Sequence, residues 1–391
     1  MNIKNFIIIT NILFFFGCSY IVKTIIPLNS LPAPSGNYTV GTTSFSLVDK
    51  SRLEWFTKSD STDFRKIMIQ IWYPSNDNPM KESLPYIDNI ESRISAISHQ
   101  IELPKYLIKQ IKYINTHTYD KLSISENSYP VILFSHGLGG MRVQNSSYIQ
   151  ELVSHGYIVV AMDHTYDANV TIFPDDIICN YKSALPDSIK TDEEALEYRI
   201  KQLNIRTNDV IFVLNELEIF NNNSKNIFFN KLKLDKVGIF GHSFGGATSI
   251  SCLERDSRIV AAISLDGWYE ILPVKSINKG LSKPFIHIGQ EKWESKLNYA
   301  NRDELMKNSK SEYWLYTFLG SKHLDFMDLP LFSSISKYLK LTGKINPNQF
   351  YDCLNEIQLS FFGKYLKGGE NFNPINISKK YSFMKEDKAQ R

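Results

Sequence analysis

Six short, mostly apolar runs constrain this chain more than any other feature. They are Val131–Ser135 in PVILFSHG, Tyr157–Met162 in GYIVVAMD, Val237–Phe240 in KVGIFGHS, Val260–Leu265 in VAAISLD, Phe285–Ile288 in PFIHIG and Trp314–Phe318 in YWLYTF. Each is rich in β-branched or aromatic residues, lacks an alternating polar face, and is separated from the next by a stretch of helical character. A strand that is apolar on both faces needs cover on both. The pattern therefore predicts an α/β fold: a mostly parallel central sheet with helices on both sides. Tyr38–Asp49 and Lys66–Pro74 alternate instead, and read as antiparallel strands that open the sheet. Ligands of such sheets bind beyond the carboxyl ends of the strands, so functional residues are sought just after each run.

After Val237–Phe240 comes Gly241-His242-Ser243-Phe244-Gly245-Gly246, followed by a helical pattern through Leu253. A serine in the sharp turn between a strand and a helix is the nucleophile elbow of α/β-hydrolases. Glycines two before and two after remove the Cβ atoms that would collide in that turn. Ser243 is thus the candidate nucleophile. A hydroxyl needs a base to take its proton, and this fold places acid and histidine downstream in that order. Two histidines follow. His287 sits within an apolar strand and reads as a packed core imidazole, whereas His323 follows the last run in the loop LGSKHLDF and is the candidate base. His136 and His242 precede the serine and read as loop supports. Two acids compete to orient the base: Asp266, directly after Val260–Leu265, and Glu291, after the next strand. Asp325 and Asp328 read as helix-start residues.

The oxyanion that forms when serine attacks a carbonyl requires two backbone N–H donors. One is expected from Phe244, next to the nucleophile; the other from the Gly-rich HGLGG, His136–Gly140, with Leu138 as donor. No Lys-Ser/Thr follows HGLGG, so a phosphate-cradling loop is not its reading.

Lys and Arg number 44 against 41 Asp and Glu, a formal charge of +3 without a basic block, which argues against nucleic acid as a partner. Four cysteines exclude a disulfide scaffold, and none has metal-ligand spacing, so no cofactor or metal is expected. The apolar stretch Phe6–Gly17 is short for a transmembrane helix and reads as an export signal. It ends at Gly17-Cys18, similar to a bacterial lipoprotein site in which the Cys18 thiol is lipidated; an ordinary secretory signal and, given the apolar residues Ile21–Leu28, an uncleaved anchor are the other readings. Residues 19–37, with LPAPSG, read as a linker, 38–368 as the catalytic domain, and 369–391 as a tail without assignment.

The blocks PVILFSHGLGG, ELVSHGYIVVAMDH, LDKVGIFGHSFGGAT, ISLDGW and LGSKHLDF resemble, in order, the platelet-activating factor acetylhydrolases of the plasma and intracellular type-II kind, a branch of the α/β-hydrolases. The likeness runs from about Leu31 to Gly368 and is poor over Asp167–Asp209. It implies a triad of Ser243, Asp266 and His323, oxyanion donors at Leu138 and Phe244, and calcium-independent removal of short or oxidised sn-2 acyl groups from phospholipids. It also implies helices that touch lipid surfaces. Leu103–Ile114 and Leu331–Leu341 mix apolar and lysine residues in a way that suits either a membrane surface or packing on their own domain. The competing readings are a broad carboxylesterase or polyester hydrolase on the same residues, and a catalytically silent surface lipoprotein that binds lipid.

Overall fold

The six continuous runs become six neighbouring parallel strands at the centre of a ten-stranded sheet. In the computed structural model, residues 28–390 are described apart from 58–59, 81, 101, 103 and 370–371. The expected signal and Cys18 lie outside the described residues, as does Leu103. The strands are β1 (Thr39–Leu53), β2 (Phe64–Ser75), β3 (Thr118–Asp120), β4 (Tyr129–Ser135), β5 (Ile158–Asp163), β6 (Val170–Ile172), β7 (Ile178–Asn180), β8 (Leu232–His242), β9 (Ile259–Leu265), β10 (Phe285–Gly289), β11 (Tyr313–Phe318) and β12 (Met384–Gln390). The main sheet runs β12-β11-β10-β9-β8-β4-β5-β2-β1-β3, and β6 pairs with β7 apart from it. Strands β5, β4, β8, β9, β10 and β11 are parallel, while β1–β2, β2–β5 and β11–β12 are antiparallel.

The period of two along each strand divides the apolar residues between two cores. Ile132, Phe134, Val159 and Ala161 face one core, shared with Leu152 of α1 (Ser146–Ser154) and with Leu354, Ile357 and Phe361 of the helix Pro347–Lys367. Val131, Leu133, Ile158 and Val160 face the other, shared with Val210, Val213 and Leu217 of α2 (Asp192–Asn222) and with Ile250 and Leu253 of α3 (Phe244–Arg255). Helix α2 starts at a capping box in which Thr191 Oγ1 accepts from the Glu194 N–H and the Glu194 carboxylate accepts from the Thr191 N–H. Its buried face runs through Arg199, Gln202, Leu203, Arg206 and Asp209 before the apolar positions from Val210 on, so the first half of this helix brings charge and amide groups under the sheet's end.

Segments on either side of residues 38–368 also pack on the sheet and its helices. LPAPSG lies along the surface: Leu31 is buried, its N–H donates to Asn115 O at 3.1 Å, and the Ser35 N–H donates to Glu151 Oε2 at 2.8 Å. At the other end, the segment after Gly368 supplies Phe372, whose ring meets Trp314 edge-on at 4.9 Å, and the edge strand β12. That strand, MKEDKAQ, carries charge because an edge must resist pairing with other chains, and this hides it from a search for apolar runs. Cys179, Cys252 and Cys353 are buried free thiols.

Candidate active site

Leaving β4, the chain goes to β5 on one side and then reaches β8 on the other, so the sheet order reverses between β4 and β8. A crevice opens at such a reversal, and the loops HGLGG and GHSFGG flank it. Ser243 occupies φ +58°, ψ −118°, a conformation an L-residue holds only under constraint from its surroundings. That constraint is visible: its N–H donates to Leu265 O at 2.9 Å, and its carbonyl accepts from the amides of Gly246 at 2.9 Å and Trp268 at 3.1 Å. The flanking glycines are sterically required. A Cβ at Gly245 would stand 1.9 Å from Ser135 O, and one at Gly241 would stand 2.2 Å from Gly245 O.

Of the two candidate acids, Asp266 is the one that meets His323, the candidate base. Its Oδ2 accepts from His323 Nδ1 at 2.5 Å, and its Oδ1 accepts from the Gln290 N–H at 3.0 Å, with the carboxylate fully buried. Glu291 instead accepts from the Gly320 N–H at 2.9 Å, bracing the loop that carries His323. The imidazole of His323 packs on His242 at 4.5 Å and on the edge of Trp293 at 5.1 Å. His242 Nε2 donates to His323 O at 3.0 Å, which leaves His242 Nδ1 to accept from Gln144 Nε2 at 3.3 Å. Burial, reinforced by the neighbouring His323, holds His242 well below the usual histidine range, so it packs on His323 as a neutral ring. No hydrogen bond joins Ser243 to His323 among the described residues. Both line one cavity of about 900 Å³ with Trp268, Glu270, Trp293 and Leu341, and contacts of this kind tighten when substrate binds.

The remaining residues fall into supporting places. His287 is buried in β10 with neither ring nitrogen hydrogen-bonded among the described residues, its edge against Tyr269 at 5.1 Å. Asp325 accepts from the amides of Lys322 and Gly343, both at 2.7 Å. Asp328 accepts from the Ser147 N–H at 3.2 Å, at the start of α1, and burial pushes its carboxyl up to about 7. The amides of Leu138 and Phe244 donate to no backbone carbonyl among the described residues. His136 Nε2 accepts from the His164 N–H at 3.1 Å, and its Nδ1 donates to Gly137 O at 2.6 Å.

A second Ser-His-Asp row lies below: His164 Nε2 meets Ser135 Oγ at 2.9 Å and its Nδ1 meets Asp209 Oδ2 at 3.0 Å. All three side chains are fully buried, so no substrate reaches them, and the row props the floor of the site. Sequence reasoning missed this row and Trp293. A charged or aromatic residue between helices carries no local signal until the fold places it.

The model of the family platelet-activating factor acetylhydrolase, isoform II, matches residues 24–382. The chain belongs to this family. It is 30% identical over 368 residues to platelet-activating factor acetylhydrolase of Cavia porcellus, covering 89% of this chain and 80% of the relative. With the Gallus gallus enzyme of the same name it shares 27% over 381 residues, covering 88% and 85%. A ferulic acid esterase from Streptomyces cinnamoneus superposes with a TM-score of 0.74 over 92% of this chain and 99% of that one; at 22% identity this likeness speaks for the α/β-hydrolase fold alone. This family member is a carboxylic ester hydrolase.

Proposed function

We propose that this acetylhydrolase family member is a metal-independent serine esterase that removes short or oxidised sn-2 acyl groups from phospholipids through an acyl-enzyme on Ser243. The observation that carries the reading is the bond from His323 Nδ1 to buried Asp266, with Ser243 on the same cavity wall. Held in this tautomer, His323 has Nε2 free to accept the Ser243 proton as Oγ attacks the ester carbonyl. The oxyanion is received by the N–H groups of Leu138 and Phe244. His323 then returns the proton to the departing lysophospholipid oxygen. Water enters, gives a proton to His323 and its oxygen to the acyl carbon, and the carboxylic acid leaves as Ser243 recovers its hydrogen.

A fluorophosphonate probe is expected to label Ser243 and no other serine, as read by peptide mapping. Phospholipids with acetyl or oxidised short sn-2 chains are expected to be cleaved faster than long-chain ones, with rates unchanged by a calcium chelator. Labelling elsewhere would remove the nucleophile, loss of activity on chelation would remove the metal-free mechanism, and equal rates on water-soluble esters would favour a broad carboxylesterase.

Membrane contact belongs to the same proposal. Export, with lipidation at Cys18, would place the domain at a lipid surface. The Asn29 N–H donates to Phe332 O at 2.8 Å, close in sequence to the segment 334–341, where Tyr338 is 82% exposed and Leu339 is exposed among Lys337 and Lys340. Leu341 of the same segment lines the cavity of Ser243. The other amphipathic stretch mostly packs inward, with Ile108 and Ile114 buried, leaving Tyr106 and Tyr113 outside. Among the described residues no helix is long and apolar enough to cross a membrane. Replacing Tyr338 and Leu339 together by Ser is expected to weaken partitioning of the leaderless domain onto anionic vesicles by about tenfold, the value of roughly 1–2 kcal/mol of apolar contact. Measured by vesicle sedimentation, an unchanged partition would move the surface elsewhere.

A further inference from the structure

The first half of α2 lies in the stretch that resembles the family least, yet it reaches the centre of the site. We infer that Arg206 is a positioning residue for the oxyanion hole, a single buried cation that sets both N–H donors at once. The inference rests on the reading of Leu138 and Phe244 as those donors.

Arg206 is fully buried and its planar fork touches every part that matters. Nη1 donates to His136 O at 2.8 Å and Nη2 leans on Gly137 O at 3.4 Å, the carbonyls of the two residues directly before Leu138. Nη2 also lies 3.2 Å from His136 Nδ1, but that nitrogen already carries the proton given to Gly137 O, so this approach is no hydrogen bond. The C=O of Gly137 and the N–H of Leu138 belong to one trans peptide unit and point in opposite directions. A guanidinium that holds the carbonyl on its own side therefore turns the Leu138 amide away from itself, toward the crevice. His136 Nδ1 at 2.6 Å and the Gly140 N–H at 3.0 Å hold the same carbonyl.

The other donor is set by the same cation. The guanidinium carbon of Arg206 lies 4.5 Å from the centroid of the Phe244 ring, so the residue whose amide is the second donor rests its side chain on it. Asp167 closes the arrangement. Its Oδ2 accepts from Arg206 Nε at 2.7 Å, its Oδ1 accepts from Gln202 Nε2 at 2.5 Å, and its backbone carbonyl accepts from the Gly139 N–H at 2.8 Å. The loop HGLGG is thus gripped on both sides of Leu138, by Arg206 before it and by the partner of Arg206 after it. A lysine would keep the charge but has no fork with which to span Asp167 and two carbonyls.

The test compares wild type with Arg206→Lys in steady-state hydrolysis of a short-chain sn-2 ester and in inhibition by a trifluoromethyl ketone, whose serine hemiketal places an oxyanion in the hole. We expect kcat to fall about 10²-fold with KM within about threefold, as a displaced donor costs, and affinity for the ketone to fall by the same factor. A purely structural role would lower the melting temperature while leaving kcat and ketone affinity of the folded enzyme as they were, and that result would overturn the inference. Should Arg206→Lys fail to fold, Asp167→Asn keeps the shape and the acceptor oxygen but loses the charge. It is expected to show parallel losses of about tenfold in kcat and ketone affinity, and values equal to wild type would overturn the inference equally. Wild-type enzyme that the ketone does not inhibit would instead strike the serine mechanism itself.

Discussion

Ser243→Ala is expected to lower kcat for short-chain ester hydrolysis by roughly 10⁶-fold while leaving the fold intact, because in the proposed mechanism the hydroxyl is the group that bonds to the acyl carbon. His323→Ala should cost about as much, since the proposed mechanism uses the two as one unit. The acid has a different signature. In Asp266→Asn the amide can donate to His323 Nδ1 where the carboxylate accepted at 2.5 Å, which favours the tautomer whose proton sits on Nε2. That nitrogen then cannot accept from Ser243, and turnover is expected to drop about 10⁴-fold. Glu291→Gln keeps an acceptor for the Gly320 N–H and should change kcat by no more than about twofold. Parallel measurement of kcat and melting temperature for the four variants checks the assignment. An active Asp266→Asn beside an inactive Glu291→Gln would transfer the acid to the loop after β10.

Acid is expected to unfold the enzyme steeply. Burial holds His136, His242 and His287 well below the usual histidine range and brings His164 down to about 4. The folded state keeps these four rings neutral, while the unfolded chain protonates them near the ordinary value of about 6.5. Below that value the unfolded state binds more protons, so stability is lost as pH falls through the interval from about 6.5 toward 4. Asp328, pushed up to about 7, has the opposite sign: the folded state holds a proton that the unfolded state gives up above about 4, and stability from this group is lost as pH rises. His155, also lowered by burial, adds to the four rings, while Glu216, Asp325 and Asp352, raised by burial, side with Asp328; the fully buried rings are expected to dominate, so stability falls as pH falls below neutral. Urea unfolding between pH 4.5 and 7.5 measures it. His287→Phe removes a ring whose nitrogens are both without hydrogen bonds, and is expected to reduce the slope by about one proton without loss of stability at neutral pH. A flat profile for wild type, or an unchanged slope in that variant, would show that the buried rings do not govern acid stability.

The parallel core and the elbow were legible because both are local. A strand buried on two faces has to be apolar throughout, and a serine at φ +58° has to have glycines at its sides, so Val131–Ser135 and GHSFGG carry their structure in their composition. Position along the chain left Asp266 and Glu291 both open. Each follows a strand directly, and which carboxylate meets His323 depends on the loop closing over β9 and β10, a distance that no spacing encodes. The edge strand β12 was invisible for the opposite reason, since exposure to water and the need to avoid pairing select lysine and glutamate over an apolar run.

Sequence alone therefore determined which runs became the sheet's buried strands, the strained turn at Ser243 and the histidine that follows the last apolar run. Only the tertiary structure brought Arg206 against the His136 carbonyl and the Phe244 ring, set Asp266 against His323, and buried the row of Ser135, His164 and Asp209. The physical reason is range. Backbone conformation and burial act over a few residues and leave a pattern in the chain, whereas hydrogen bonds between buried charges join residues tens of positions apart and leave none until the sheet and its helices have closed.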